Sequence, residues 1–356
     1  MAERLLVYGA TGYTGGLLAA LAKERGLAPI VAGRSRAKVE AVAARLGVPA
    51  RVASVDDPAA LAEMLRGVAC VISSAGPFAS TARQMFEACL ATGTHYLDVT
   101  GEIDVFELAA SYGERALRAG VMILPGIGFD VVPSDCLSAH VSAKVGAPRT
   151  VRIALAAGGT PTHGTARTAL AMLSAPLRVR RGGRLVSLPS GSLVRSFDFG
   201  QGPAACVGVP MGDVVTAAHS TGAADIEVYM RGGAGMRLGL RAAQWLGPIV
   251  SSGPVQRALG RLVDRLPEGP SEEERLGTRA LVVAEAEGDG GSARARLETP
   301  SGYETTRLAG VEAARRILAG EAKPGFQTPA TAFGADFVLA LPNVKREDLS
   351  PSKETR

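Results

Sequence analysis

Three glycines, Gly9, Gly12 and Gly15, stand directly behind the apolar run Leu5-Leu6-Val7-Tyr8, and their spacing says more about chemistry than any other feature of the chain. A strand that turns at once into a helix needs glycine in three places: where the turn is tight, where the backbone approaches a ligand, and where the helix packs on the sheet. Thr11, Tyr13 and Thr14 fill the turn between them. The free N–H groups and positive dipole end of the helix then face a pyrophosphate. The chemistry implied is binding of a dinucleotide, and through it hydride transfer.

The later loops refine this reading, because ligands of such folds bind beyond the carboxyl ends of the strands. After the second apolar run stands Gly33-Arg34-Ser35-Arg36, with no acidic residue to take the ribose hydroxyls of NAD. Arg34 and Ser35 suit a 2′-phosphate, so the cofactor expected is NADP, with NAD the lesser alternative. Asp56 and Asp57 precede Pro58, and either one contacts the adenine or caps the next helix. Ser74-Ala75-Gly76-Pro77 offers small residues on the nicotinamide side. Tyr96, Asp98 and Glu102 follow at the fifth strand end, where Asp98 orients the ligand or Glu102 simply favours a helix N-terminus. Pro125-Gly126-Ile127-Gly128-Phe129-Asp130, then Pro133-Ser134-Asp135, form a glycine-rich elbow suited to a substrate cleft, with Asp130 and Asp135 as substrate candidates.

Hydride transfer also wants a proton source. His163 adjoins Gly164-Thr165-Ala166-Arg167 at a helix start. His163 is therefore a candidate donor, Arg167 a candidate ligand for a substrate oxygen, and Thr165 a candidate substrate contact. A plain loop histidine beside a surface arginine is the competing reading. Tyr96 is a further candidate donor. The tyrosine–lysine pair of short-chain dehydrogenases is absent; Tyr303 has Arg307 at that spacing. His95, His140, His163 and His219 show no metal-ligand spacing, so no metal is expected.

The elements that must carry these residues fall into two patterns. Strands at Arg4–Tyr8, Pro29–Ala32, Ala50–Ser54, Ala69–Ser73, His95–Val99 and Val121–Leu124 alternate with helices at Tyr13–Arg25, Arg36–Leu46, Pro58–Arg66, Thr81–Thr92 and Asp104–Ala119. This alternation predicts a Rossmann-type α/β domain over 1–130, with a parallel sheet. Residues 131–302 predict a second α+β domain on a mixed or mostly antiparallel sheet. Its strands are Thr150–Ala157, Arg184–Leu188, Leu193–Phe197, Asp213–His219, Asp225–Met230, Arg279–Glu287 and Ser292–Thr299. Helices at Thr305–Ala319 and Thr328–Leu341, within 303–344, are expected to pack back on the first domain, and 345–356 reads as a frayed charged tail.

Composition bounds the rest. At 356 residues with 47% hydrophobic and 21% charged residues, the chain can bury two cores. The net charge of +5 comes from scattered arginines rather than a block, which argues against a nucleic-acid partner. Cys70, Cys89, Cys136 and Cys206 lie far apart, unlike a zinc site or disulfide framework. No secretory pattern opens the chain and no uncharged apolar run reaches about 18 residues, so the expected location is the cytoplasm. Segment 232–266 sets Leu238, Leu240, Trp245, Leu246, Ile249, Val250, Leu259, Leu262, Val263 and Leu266 beside Arg237, Arg241, Arg257, Arg261 and Arg265. Such helices lie on a membrane, cover an apolar substrate channel, or pack as ordinary core.

Taken in order, the motifs resemble those of the saccharopine dehydrogenase-like reductases and, more narrowly, of the trans-acting enoyl reductases. The residues concerned are the Gly9–Gly15 turn, Ala75-Gly76-Pro77-Phe78, His95–Glu102, Pro125–Asp130 with Pro133-Ser134-Asp135, Gly164–Thr168, Pro270-Ser271-Glu272-Glu273 and Thr328-Pro329-Ala330. The resemblance implies two domains, NADP(H) in the first, and substrate between them. It also implies reduction of an activated C=C bond in a hydrophobic, lipid-type substrate. A carbon–nitrogen reaction of the saccharopine kind and a noncatalytic NADP-binding sensor stand as alternatives. A small-molecule substrate is the expected partner, with oligomerisation left open.

Overall fold

Apolar runs such as Leu5–Tyr8 become parallel strands because both faces of their sheet are covered, which removes the need for alternation. The computed structural model describes residues 4–172, 175–247, 252–263, 265 and 267–350. Its elements run β1 (Leu5–Tyr8), α1 (Tyr13–Glu24), β2 (Ile30–Gly33), α2 (Arg36–Leu46), β3 (Ala50–Val52), α3 (Pro58–Leu65) and β4 (Cys70–Ser73). A short 3-10 turn (Phe78–Ser80) leads to α4 (Ala82–Thr92), β5 (His95–Asp98), α5 (Ile103–Ser111), α6 (Gly113–Arg118) and β6 (Met122–Leu124). There follow α7 (Val132–Val145), β7 (Pro148–Ala156), α8 (His163–Met172), β8 (Leu177–Arg181), β9 (Arg184–Leu188), β10 (Val194–Asp198) and β11 (Pro203–Gly208). Next come α9 (Asp213–Thr221), β12 (Asp225–Arg231), α10 (Ala234–Trp245), α11 (Gly253–Val263), α12 (Glu272–Gly277), β13 (Arg279–Gly288) and β14 (Gly291–Pro300). The chain ends through α13 (Gly302–Leu318), β15 (Gly325–Phe326), α14 (Pro329–Phe333), a second 3-10 turn (Phe337–Ala340) and β16 (Lys345–Leu349).

Two compact units result. The first comprises residues 1–132 with 303–341, and the second 133–302 with 342–356. In the first unit seven parallel strands lie in the order β15-β6-β5-β4-β1-β2-β3. β1, β2 and β4 are buried at every position. Helix α13 lies close on this unit: a Cβ at Gly310 would come within 2.7 Å of Leu18. Removing a leucine side chain such as Leu18 from water contributes about 1.5–3 kcal/mol each time. β15 adds an edge strand beside β6.

The second unit is built on a mixed sheet, order β10-β11-β12-β7-β13-β14-β16, with β8 and β9 branching from β12. Only the β12–β7 pairing on this path is parallel. Alternation divides its faces. Ile226, Val228, Val151, Ile153, Val282, Ala284, Ala295 and Leu297 fill one. On the other, a cross-strand row of opposite charges, Glu227, Arg152, Glu285 and Arg294, runs beside a cluster of Ala154, Phe197, Cys206, Tyr229 and Val283.

Several expectations need correction. Asp213–His219 is helix, not strand: its β-branched residues mislead, but burial of consecutive residues 213–217 and a left-handed Gly222 close a helix against β12 and β8. The helix expected at Asp104–Ala119 is two, joined through Tyr112. Thr328–Leu341 is α14 followed by a 3-10 turn, with Gly334 ending the first. The tail is not frayed at its start. Residues 345–349 pair with β14, while Glu347 binds Arg296 and Asp348 binds His140 and Lys144. β8, β11 and β15 are elements the sequence pattern does not announce. Among the described residues no helix is long and apolar enough to cross a membrane.

Candidate functional site

The glycine turn begins where β1 ends. Gly9 takes φ +83°, a left-handed conformation that side chains resist, and its N–H bonds the Ala32 carbonyl of β2 at 2.9 Å. Gly15 is glycine for space: a Cβ there would stand 2.3 Å from the Gly9 carbonyl oxygen and 2.5 Å from Ser74 Oγ. Gly12 differs from both. A Cβ there would meet only the Gly9 oxygen, at an ordinary 3.5 Å, so no protein neighbour requires the glycine. Thr11 and Gly12 are exposed. Gly12 is the N-cap of α1, makes no side-chain cap bond, and is followed by a first turn without acids. That leaves helix N–H groups directed to an anion.

Arg34 and Ser35 follow β2 at the same sheet edge, Arg34 exposed and Ser35 partly so. Two arginines flank Ser35, and they differ. Arg36 is engaged by Glu40 at 3.3 Å, one helical turn on, whereas Arg34 makes no ion pair among the described residues. The two aspartates divide the roles proposed for them. Asp57 caps α3 by accepting from Ala60 N at 3.0 Å, and Asp56 stays exposed beside Ser54. Arg34 and Asp56 both act electrostatically on the Tyr8 hydroxyl, which burial pushes above its ordinary pKa. These groups therefore share one rim of the cradle, suited to a phosphorylated ribose.

The opposite rim is the loop after β4. Ser74 is tied back to β1, its N–H and Oγ both donating to the Tyr8 carbonyl at 2.9 and 3.0 Å. Ala75 accepts from Thr81 Oγ1, and Gly76 and Pro77, joined by a cis peptide bond, are exposed. Glu102 closes the loop: its carboxylate accepts from Phe78 N at 3.0 Å and Ala79 N at 2.9 Å. Sequence reasoning gave Glu102 only to the helix that follows it. The clamp on residues 23 and 24 positions earlier is a tertiary contact that no local pattern reveals.

Asp98 and Tyr96 occupy places other than those expected. Tyr96 is fully buried in the core, edge-on to Phe86, and its hydroxyl donates to Asp98 at 2.7 Å. Its phenol, pushed well above its ordinary pKa by burial, is a packing group rather than an exposed proton donor. Asp98 is likewise fully buried; its Oδ1 accepts from Thr100 N and Gly126 N at 3.0 and 2.8 Å. It joins the ends of β5 and β6 and so positions the floor of the cradle, without presenting its carboxylate to a ligand. Burial raises the Asp98 pKa to about 6, partly offset by the two N–H donors. With the folded value above the unfolded one, ionisation opposes folding. The contribution of this one group to stability is therefore greatest below about pH 4 and falls as pH rises toward 6, where the folded carboxyl also ionises. Asp98→Asn keeps the Oδ1 acceptor and removes that charge. Urea unfolding of this variant is expected to show a flatter pH profile; Asp98→Ala, which orphans two buried N–H groups, flattens the profile too but is expected to be less stable than Asp98→Asn by about 2–5 kcal/mol at every pH. An Asn variant as pH-sensitive as the parent would refute the assignment.

Beyond β6, Gly126 (φ +73°) passes under Phe106, and Phe129 N donates to Thr306 Oγ1 of α13 at 3.0 Å. Asp130 is exposed and its carboxylate lies against Gly101, where a Cβ would stand 3.0 Å away. Tyr303, at the start of α13, meets Tyr13 edge-on with centroids 5.4 Å apart. It thereby joins the glycine turn, a neighbour 290 positions distant that no sequence signal marks.

The remaining candidates sit in the second unit. Asp135 is buried in α7 and accepts from Ser220 of α9, which makes it an internal strut rather than an exposed substrate ligand. His163 is half-buried in the first turn of α8, with Thr165 and Arg167 exposed beyond it; Thr162 Oγ1 accepts from Thr165 N and caps that turn. His163 and Arg167 are four residues apart and share a helix face.

The N-terminal segment, residues 5–124, matches the family model described as saccharopine dehydrogenase NADP binding domain. A saccharopine dehydrogenase-like oxidoreductase of Bos taurus is 32% identical over 151 residues, covering 37% of this chain and 35% of that protein. A trans-acting enoyl reductase of Mycobacterium ulcerans is 35% identical over 144 residues, covering 38% and 34%. The chain thus spans about a third of the length of these curated relatives. Among solved structures, apo saccharopine dehydrogenase (L-Glu forming) from Saccharomyces cerevisiae is similar over 98% of this chain and 100% of its own, with a TM-score of 0.64 at 15% identity. That likeness establishes a shared fold over both units.

Proposed function

We propose, from the match of residues 5–124 to the saccharopine dehydrogenase NADP binding domain, that the whole chain is an NADPH-dependent oxidoreductase reducing an activated C=C bond in a hydrophobic substrate. The observation that carries the cofactor half is the position of Arg34: it is exposed directly after β2, at the rim where a 2′-phosphate belongs, and has no ion pair among the described residues, whereas the equally exposed Arg36 has a surface pair with Glu40 at 3.3 Å. The acceptor half draws support from the relative named trans-acting enoyl reductase. When bound, the cofactor supplies the hydride, and one proton must reach the other carbon. The chain's own part is to hold the pyrophosphate on α1, keep the Ser74–Ser80 loop fixed through Glu102, and supply or relay the proton. His163 is the candidate donor, and Arg167 the candidate cation for the carbonyl oxygen that activates the double bond.

A reaction at a carbon–nitrogen bond would want several cations for substrate carboxylates. The second sheet's arginines are poor providers: Arg181 and Arg152 bind Glu227, and Arg195 and Arg294 bind Glu285. The test is NADPH oxidation with enoyl thioesters of increasing chain length, set against a 2-oxo acid with an amino acid. Turnover is expected with the thioesters, rising with chain length, and His163→Ala is expected to lower kcat roughly a hundredfold with KM little changed. Consumption only with the 2-oxo acid pair would overturn the C=C reading. NADPH binding without consumption in either assay would make the chain a noncatalytic NADP-binding sensor.

A further inference from the structure

Among the described residues, helix α10 is fastened to the second unit along one side. Arg237 Nε donates to the Gly191 carbonyl at 3.0 Å, and Gln244 Oε1 accepts from Ser190 N at 2.7 Å, while Met236, Leu240 and Ala243 are partly covered. Helical spacing puts Leu238, Ala242 and Trp245 on another side, and that side faces water. Trp245 is 88% exposed, Leu238 69% and the adjoining Leu246 47%. Helix α11 repeats the arrangement. It packs against α8, buries Val263, and leaves Leu262 58% exposed beside a row of Arg257, Arg261 and Arg265 at four-residue intervals. Ile249, Val250 and Leu266, part of the same sequence pattern, lie outside the described residues. An ordinary core helix does not leave its largest apolar residues in solvent.

We propose that α10 and α11 dock this protein on an anionic lipid bilayer, Trp245, Leu238 and Leu262 entering the interface while the arginines meet lipid phosphates. Charge selects the occupant. Residues 231–266 contain six arginines, Arg231, Arg237, Arg241, Arg257, Arg261 and Arg265, against a single acid, Asp264. A second copy of the same face would bring a strong excess of cations against the same excess, whereas an anionic bilayer is complementary to it. Short helices with arginine-bearing borders and an exposed tryptophan have the composition of helices that lie flat in the headgroup region. The inference is independent of the reaction proposed above, because none of these residues belongs to the cofactor cradle.

Trp245 is the chain's one tryptophan, so its fluorescence reports directly on the surface in question. Full-length protein is titrated with vesicles of phosphatidylcholine alone and of an equimolar mixture with phosphatidylglycerol. The mixed vesicles are expected to shift the emission to the blue and to co-sediment the protein, an effect weakened by salt; the neutral vesicles are expected to do neither. The double variant Leu238→Glu/Leu262→Glu should lose the shift. Arg257→Glu/Arg261→Glu should weaken binding by at least about fivefold for each cation removed. Both variants should keep NADPH affinity and the parent circular dichroism, since the altered side chains are exposed. Three outcomes would each overturn the proposal: no binding to either vesicle, variants that bind like the parent, or a blue shift that follows protein concentration without vesicles and so marks self-association.

Discussion

Gly12→Ala is expected to abolish the stabilisation of the protein by NADPH while leaving the unliganded fold nearly unchanged, and Gly15→Ala is expected to damage both. The two glycines are three residues apart and differ in what excludes a methyl group. At Gly15 the obstacle is the Gly9 carbonyl, 2.3 Å from the added carbon, and Ser74 Oγ at 2.5 Å. Gly9 is itself bonded to Ala32 of β2, and Ser74 is held on the Tyr8 carbonyl, so neither can readily retreat. The cost is that of forced overpacking, about 1–3 kcal/mol or more. At Gly12 the nearest atom stands at 3.5 Å, so the methyl fits the protein and meets only the ligand that should lie there. Loss of a glycine N-cap costs at most about 1 kcal/mol. Saturating cofactor at a hundred times Kd raises parent stability by about 2.7 kcal/mol. Urea unfolding with and without NADPH separates the cases. A Gly12→Ala variant still stabilised by the cofactor would mean that the pyrophosphate does not use this turn.

That contrast also shows what could be read without coordinates. The first unit was legible because its parallel strands are short, most of them are buried on both faces, and glycine or proline stands near most of their ends. Leu5–Tyr8, Cys70–Ser73 and His95–Asp98 fall within a residue of the spans their patterns suggest. The glycine turn, Gly9 to Gly15, shares that legibility because the pattern of glycines behind an apolar strand is itself local, although Ala32 and Ser74, which press on Gly9 and Gly15, are remote in sequence. What failed depends on distance. Asp98 and Tyr96 carry reactive groups at a strand end, and only tertiary packing shows that Tyr96 turns inward and that Asp98 spends its carboxylate on Thr100 and Gly126. Glu102 reaching Phe78, and Tyr303 meeting Tyr13, are of the same kind. In the second unit, the run Asp213–His219 reads as strand because propensity is local, yet the helix Asp213–Thr221 is fixed by burial against β12 and β8. The charged segment Lys345–Leu349 looked unstructured because its partners, Arg296, His140 and Lys144, come from three remote positions.

Arg34→Ala is expected to weaken NADPH binding by roughly ten- to a hundredfold and to leave NADH binding almost unchanged, the loss being that of one charge-assisted hydrogen bond of about 1.5–3 kcal/mol. The asymmetry follows from where each arginine spends its charge. Arg36 already has Glu40, so Arg36→Ala should change NADPH affinity little. Arg34 has no ion-pair partner among the described residues, and its position directly after β2 is where the second ribose of a dinucleotide lies against the sheet edge. Both cofactors share the pyrophosphate, so both should lose affinity together in Gly12→Ala but part company in Arg34→Ala. Raising ionic strength should reproduce the arginine variant's effect in weaker form, reducing NADPH affinity more than NADH, because only the former carries the extra phosphate on an exposed site. Arg34→Asp carries the argument to the opposite sign: a carboxylate there repels the 2′-phosphate and can accept from the free ribose hydroxyls of NADH. Titration of the parent and the three arginine-site variants with each cofactor decides the matter. Equal losses for NADPH and NADH in Arg34→Ala would show that this guanidinium serves the fold or the pyrophosphate, and that the 2′-phosphate is recognised elsewhere.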